Sequence, residues 1–236
     1  MDIHIKKKFF IVKGEKVILV PYLLNYIEKY HEWMQDPEIL DLTASEPLTL
    51  EEEIQNQRSW LLDPLKYTFL ICENNDEIEE FLKKQENLNG EINDKQIEKD
   101  NSLKFRKIHG TNNSEFTKFL KNLQPCGDIN LFFHEYMDED ECEIDVMIGN
   151  KNARGKGLAK ESVILMRKFG EHIYKKKRFV AKIKEKNETS IQLFQKLKFQ
   201  KIKIVKVFDE IHFEYKVEKE EQFEINMWDV SEIISI

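Results

Sequence analysis

The sequence predicts an α/β chain of the α+β type, and three observations predict it. Short apolar runs that read as strands alternate with segments whose apolar residues recur every three or four positions. The runs "PCGDINLFFHEY" and "DECEIDVMIG", joined by an acidic turn at 137–140, read as an antiparallel hairpin. A glycine loop then leads into a strongly amphipathic segment. With 41% apolar and 11% aromatic residues over 236 positions, the chain has the means to bury a core.

The elements follow in order. "KVILVPY" at 16–22 is a short apolar run ended by Pro21 and reads as a buried strand. "LLNYIEKYHEWMQDP" sets Leu23, Ile27, Tyr30 and Met34 at helical spacing, with Pro37 as the stop. Thr49 and Glu52 form a capping box ahead of a second helix that should end near Pro64, and "KYTFLICE" at 66–73 is a strand. Residues 74–124 differ in kind. Of these 51 residues, 9 are Asn, 10 Asp or Glu and 9 Lys or Arg, too little apolar surface to offset the entropy of ordering. They read as a low-complexity insertion in which scattered Ile, Leu and Phe could form a short helix. After the hairpin and its glycine loop, Leu158, Ser162, Leu165, Phe169 and Ile173 mark a helix of about 15 to 18 residues. "KRFVAKIKEK" is a strand, "NETSIQLFQKLK" a helix capped by Asn187, and "FQKIKIVKVFDEIHFEYKVEKE" a final pair of strands. The tail, 218–236, fits neither pattern clearly.

Composition excludes some classes. A net charge of -7 argues against a nucleic-acid binder, because duplex binding needs a concentrated positive field. No apolar stretch reaches the roughly 18 residues that span a bilayer, and Lys13, Glu15 and Lys16 interrupt the N-terminal apolar run, so no membrane partner is expected. Three cysteines without CxxC spacing support neither a disulfide framework nor a zinc site. His31, His134 and His212 lack partners at ligand spacing, so no metal is expected. These features read as a soluble protein of a reducing compartment, cytoplasmic, with the nucleus as the alternative.

The loop "ARGKGLAK" carries the chemistry. A helix's first amides have no intrahelical partner and sit at the positive end of its dipole, so they bind phosphate oxygens. Gly155 and Gly157 let the main chain approach a ligand closely, and Arg154 and Lys156 add charge. The dinucleotide fingerprint fails because Lys160 stands where its third glycine belongs; the P-loop fails because Gly157 follows Lys156. What fits is Arg-x-x-Gly-x-Ala at 154–159, between a strand and an amphipathic helix.

This segment resembles the coenzyme A loop of the GNAT superfamily of N-acetyltransferases. "NETSIQLFQKLKF" looks like that family's second motif, and the order of elements from 16 to 216 is similar. "YHEWM", "LTASEPLTLEEE", "GDINLF" and "FQKLKF" resemble the eukaryotic subgroup called N-acetyltransferase nine, itself similar to bacterial enzymes that acetylate ribosomal-protein N-termini. The resemblance implies a mixed, mostly antiparallel twisted sheet of six to seven strands, with helices on both faces and a splay between the fourth and fifth strands. It implies one domain over 1–236 with a core of about 14–217. It implies acetyl-CoA as the acyl donor, its diphosphate on Arg154, Gly155, Lys156, Gly157, Leu158 and Ala159. Met147 and Ile148 would lie by the acetyl group, and Asn187 and Ser190 by the pantetheine arm. Two positions depart from the family pattern. Phe194 stands where many members have a tyrosine that protonates the leaving thiolate, and Lys198 where a glycine is usual.

Acyl transfer to an amine also needs a proton acceptor. Alternation puts Glu141, Glu143, Asp145 and Met147 on one face of their strand, and Glu143 is the candidate base if that face meets the substrate; otherwise the face is simply solvated. Glu46, in the loop between the first two helices, is the second candidate. The expected function is acetyl transfer from acetyl-CoA to a protein or peptide amine, more often an N-terminal α-amino group. The alternative is a catalytically weak GNAT-fold binding protein, for which the subgroup suggests tubulin or microtubules as partner. A phosphate-binding module unrelated to acyl transfer would explain the loop alone.

Overall fold

The computed structural model describes residues 7–89, 103–107, 113–218, 225–232 and 234. Every strand expected from apolar runs forms: β2 (Val17–Pro21), β3 (Lys66–Glu73), β5 (Pro125–Phe132), β6 (Glu141–Ile148), β7 (Arg178–Lys184), β8 (Gln200–Val205) and β9 (Glu210–Lys216). Three more strands join them, β1 (Phe10–Lys13), β4 (Leu103–Lys107) and β10 (Ile225–Asp229), giving one sheet in the order β4-β10-β1-β2-β3-β5-β6-β7-β9-β8. The sheet therefore has ten strands where six to seven were expected, and the added ones all lie at the β2 edge. Its ladders are antiparallel except β6 with β7 and β10 with β4.

Helices cover both faces. On one lie α1 (Ile27–Trp33), α2 (Pro37–Thr43) and α3 (Leu50–Leu62); on the other α6 (Leu158–Tyr174) and α7 (Glu188–Lys196). Pro37 does stop α1, but it also starts α2. Its missing N–H costs nothing at a first helical position, and Asp36 caps the end by accepting from the Glu38 amide. The capping box of α3 is present: Thr49 Oγ1 accepts from the Glu52 amide at 3.3 Å, and Glu52 Oε2 from the Thr49 amide at 2.8 Å.

The stretch 74–124 is more ordered over its described parts than its composition implied. It contributes α4 (Asp76–Asn89), β4 and α5 (Asn113–Asn122). Ile78, Leu82, Phe116 and Leu120 are buried, and the Phe81 and Phe119 rings stack at 3.9 Å. Averaged composition hid two short amphipathic helices that need each other to bury their stripes. Residues 90–102 and 108–112 lie outside the described residues. The tail supplies β10, whose Ile225, Met227 and Trp228 are buried, with β1 on one side and β4 on the other.

The core under α6 centres on Phe169, fully buried and in contact with the rings of Phe10, Tyr67, Phe69 and Tyr174 at 4.8–5.8 Å. Glu161, in the first turn of α6, accepts from the amides of Glu15, Lys16 and Val17 at 2.7–3.0 Å, which ties the start of that helix to β2. Among the described residues no helix is long and apolar enough to cross a membrane.

Candidate active site

Beyond Glu143 the two central parallel strands part. β6 pairs with β7 at Glu141↔Arg178, Cys142↔Phe179 and Glu143↔Val180, whereas β6 stays on β5 as far as Ile148 and β7 on β9 as far as Lys184. This is the splay expected between the fourth and fifth predicted strands. It makes a wedge closed at Glu143 and open toward Ile148.

At the open end a tight turn delivers the chain to α6. A Cβ on Gly149 would lie 2.3 Å from the Trp33 ring, so a side chain there would displace α1. Asn150 caps a short 3-10 turn, Lys151–Ala153, by accepting from the Asn152 amide. Gly155 and Gly157 then adopt φ of +78° and +85°, the left-handed region that glycine enters without strain. Gly157 is the N-cap of α6 and no side chain caps that end, so its first amides remain available. A Cβ on Gly155 would meet nothing within 4 Å, and one on Gly157 would meet Lys16 Nζ at 3.6 Å. The space ahead of the helix end is open, and the helix dipole makes it favourable to an anion.

The loop cations are parked on exposed carboxylates. Lys156 Nζ donates to Glu73 at 2.8 and 3.1 Å. Arg154 Nε donates to the Ile148 carbonyl at 3.1 Å, and its Nη1 lies 3.6 Å from Glu38. Such exposed pairs contribute only about 0–1 kcal/mol each, so an anion can displace them. Leu158 is buried in the core, which leaves its main chain to serve the loop, and Ala159 beside it is half-buried.

The profile of the "Acetyltransferase (GNAT) domain" matches residues 16–200, the fork and the loop included. The chain belongs to the GNAT acetyltransferase family. It is 38% identical to an "N-acetyltransferase 9-like protein" of Dictyostelium discoideum over 87% of this chain and 84% of that protein. It is 34% identical to the human "Alpha/beta-tubulin-N-acetyltransferase 9" over 88% of this chain and 84% of that one. Its fold is like that of Vibrio cholerae spermidine N-acetyltransferase in complex with CoA and spermine, with a TM-score of 0.60 and 11% identity, covering 86% of this chain and 96% of that one. This GNAT chain is thus an acetyltransferase.

The remaining GNAT candidates fall in three places. Asn187 Oδ1 accepts from the Ser190 amide at 3.1 Å, the N-cap of α7, beside the arm of the wedge formed by β7. Met147 and Ile148 are half-buried on opposite faces of β6, Met147 toward α1–α3 and Ile148 toward α6. Glu143 is on the same face as Met147, as alternation implied, but its carboxylate is held by Lys182 at 2.5 Å and His134 at 3.1 Å. Glu46 is exposed in the α2–α3 loop. Among the described residues no group of three or more His, Cys, Asp or Glu has a metal-holding arrangement.

The two departures from the GNAT pattern have physical consequences. Phe194 is buried edge-on against Phe199, at 4.9 Å between centroids, and belongs to the core rather than the wedge. Lys198 takes φ of +65° at the turn from α7 to β8. Lys198→Gly is therefore expected to raise stability by about 0.5–1 kcal/mol, because the left-handed conformation costs a residue with a Cβ about 1–2 kcal/mol and glycine's freedom in the unfolded chain offsets part of the gain. A urea melt checks this; an unchanged or lower midpoint contradicts it.

Sequence reasoning missed a polar basin on the α1–α3 face, next to the wedge. Asn130 Nδ2 donates to Asp128 at 2.9 Å and to Asp145 at 2.8 Å, while Thr68 donates to Asn130 at 2.6 Å and Tyr30 to Asp128 at 3.3 Å. Lys66 lies over the Trp60 ring, 2.9 Å from its centroid, and burial lowers its pKa to about 8 despite Asp145 and Asp128. Burial raises Asp128, against the pull of Asn130 and Lys66. Asp145 is pushed up to about 7, by burial first and then by the Asp128 charge. Asp145 as a residue remains partly open to solvent, so its dehydration is incomplete. The signal in the sequence was Asp128 and Asn130 at alternate positions of an otherwise apolar strand, "GDINLF", which is costly unless the two polar groups have partners.

Proposed function

We propose that this acetyltransferase uses acetyl-CoA as donor and a protein N-terminal α-amino group as acceptor. The observation that carries the reading is the uncapped start of α6 with its two left-handed glycines, opening beside the fork of β6 and β7. The diphosphate would rest on the main-chain amides of residues 154–159, and the thioester would extend along the fork past Met147 and Ile148. The amine's lone pair attacks the carbonyl carbon, the C–S bond breaks, and coenzyme A leaves as thiolate, which takes up the proton that the nitrogen sheds as the amide forms. Phe194 cannot protonate that thiolate, but an ordinary thiol ionises near pH 8.5, so it is a tolerable leaving group without an acid. The CoA complex of the Vibrio structure supports the donor, and the name of the human relative supports tubulin as acceptor.

The test is CoA release over peptides that differ in their first residue, tubulin N-terminal peptides among them, each also supplied N-acetylated with an internal lysine. Release that requires the free α-amine is expected. Release that follows the internal lysine instead would replace the α-amine reading. A second reading, a GNAT-fold protein that binds the coenzyme with little turnover, is favoured by the buried Phe194 and the ion-paired Glu143. It would appear as coenzyme-dependent stabilisation with no release on any peptide.

A further inference from the structure

The basin holds more acid than its own cations balance. Asp128 and Asp145 sit on neighbouring strands, joined through Asn130, and Glu53 of α3 lies close enough for its charge to act on Tyr22, Tyr30 and Asp128. Against three carboxyls stand Lys66, whose ammonium burial weakens, and His31, which faces Glu53. Two buried oxygens on this face stand without a partner among the described residues. Glu53 is 2% exposed and Tyr22 is 3% exposed, and neither Glu53 Oε2 nor the Tyr22 hydroxyl has a hydrogen-bond partner among the described residues. A buried acceptor left without a donor is destabilising, more so when it is charged, and a cationic N–H donor would satisfy it. The Tyr22 ring lies 4.8 Å from that of Tyr30, whose hydroxyl donates to Asp128, so the unpartnered atoms and the acid pair belong to one basin.

We propose that this basin, formed by Glu53, Tyr22, Asp128 and Asp145, is the binding site for the acceptor's ammonium group, and that Asp145 takes the proton that must leave before the amine attacks. The proposal rests on the acetyl-transfer reading and deepens it. Position favours Asp145 over Glu143. Glu143 is the last residue at which β6 and β7 pair, while Asp145 is the next residue on the same face, where the strands have parted. Glu143 already holds Lys182 and His134, whereas Asp145 accepts from Asn130 and keeps an exposed side. In the step itself one N–H proton passes to an Asp145 oxygen, leaving the nitrogen lone pair free for the thioester carbonyl. Asp128 and Asn130 are positioning residues that hold the Asp145 carboxyl. The charged and titratable groups facing Asp145 are Asp128 on β5, Lys66 on β3, Glu143 on β6 and Tyr30 on α1, with Glu53 of α3 behind Asp128. Burial first, and then the Asp128 charge against that of Lys66, raises its proton affinity into the range where a base works near neutral pH.

The experiment has a binding arm and a rate arm. The same peptide panel, each member with a free and an N-acetylated terminus, is titrated into the full chain by calorimetry. The best free-amine peptides should bind about tenfold or more tightly than their capped twins, and Asp145→Asn should remove that difference while coenzyme-dependent thermal stabilisation persists. A panel in which no free-amine peptide outbinds its capped twin overturns the proposal, whether or not the protein turns over. In the rate arm, kcat/KM should fall about 100-fold or more in Asp145→Asn and lose the limb titrating near neutral pH, with the amine's own limb retained. Glu53→Gln should weaken free-amine binding with a smaller effect on kcat. If Asp145→Asn keeps both rate and pH profile while Glu143→Gln loses the limb, Asp145 is not the acceptor of the proton. Absence of CoA release from the wild type, with free-amine binding intact, would count against acetyl transfer and leave the ammonium site standing.

Discussion

Gly157→Asp is expected to abolish the thermal stabilisation that acetyl-CoA confers. At ligand about 100 times its dissociation constant, the wild type should gain about 2.7 kcal/mol, or roughly 5–10 °C for a chain of this size. The substitution puts a carboxylate at the N-cap of α6, where two phosphates would otherwise rest. The free protein should tolerate it. Aspartate enters the left-handed region more readily than most residues with a Cβ, so the φ of +85° costs it about 1 kcal/mol, and a Cβ there would have Lys16 Nζ as its nearest neighbour at 3.6 Å. The loss should therefore appear as a missing ligand shift on a nearly normal melting curve. A retained shift would mean that the coenzyme lies elsewhere.

Phe169→Ala should have the largest effect on the fold itself, a loss of about 4 kcal/mol. Phe169 is buried where α6 meets β1 and β3, and its ring contacts four others, so truncation leaves a cavity walled by rigid aromatic rings that cannot collapse into it. Thermal and urea melts should agree, with the melting temperature down by roughly 8–16 °C. A loss below about 1 kcal/mol would mean that the packing of α6 on the sheet is not as described.

The two predictions mark what could be read directly from the sequence. The α6 stripe was legible because one helix buries one face, and its 3.6-residue period is a local property. The loop was legible for the same reason: glycines between a strand and a helix state their backbone need within six residues. The basin was not legible as a site. Asp128 and Asn130 come from β5, Asp145 from β6, Lys66 from β3 and Glu53 from α3, and only strand register brings them together. Glu143 shows both sides of this limit. Its face followed from alternation, but its engagement by Lys182 and His134 depends on β7 and on the turn after β5. The helices α4 and α5 were hidden for a related reason, since each one's apolar stripe is covered partly by the other.

The far edge of the sheet bears on how the chain comes off the ribosome. β1 lies near the start of the sequence, yet it pairs along its length with β10, made more than two hundred residues later, and β4 waits for the same strand. Until residue 229 has been synthesised, Ile11 and Phe10 have a free strand edge on one side, a sticky surface in a crowded cell. Completion of this flank must therefore wait for β10, and a chain cut short ahead of that strand is left with an open, aggregation-prone border.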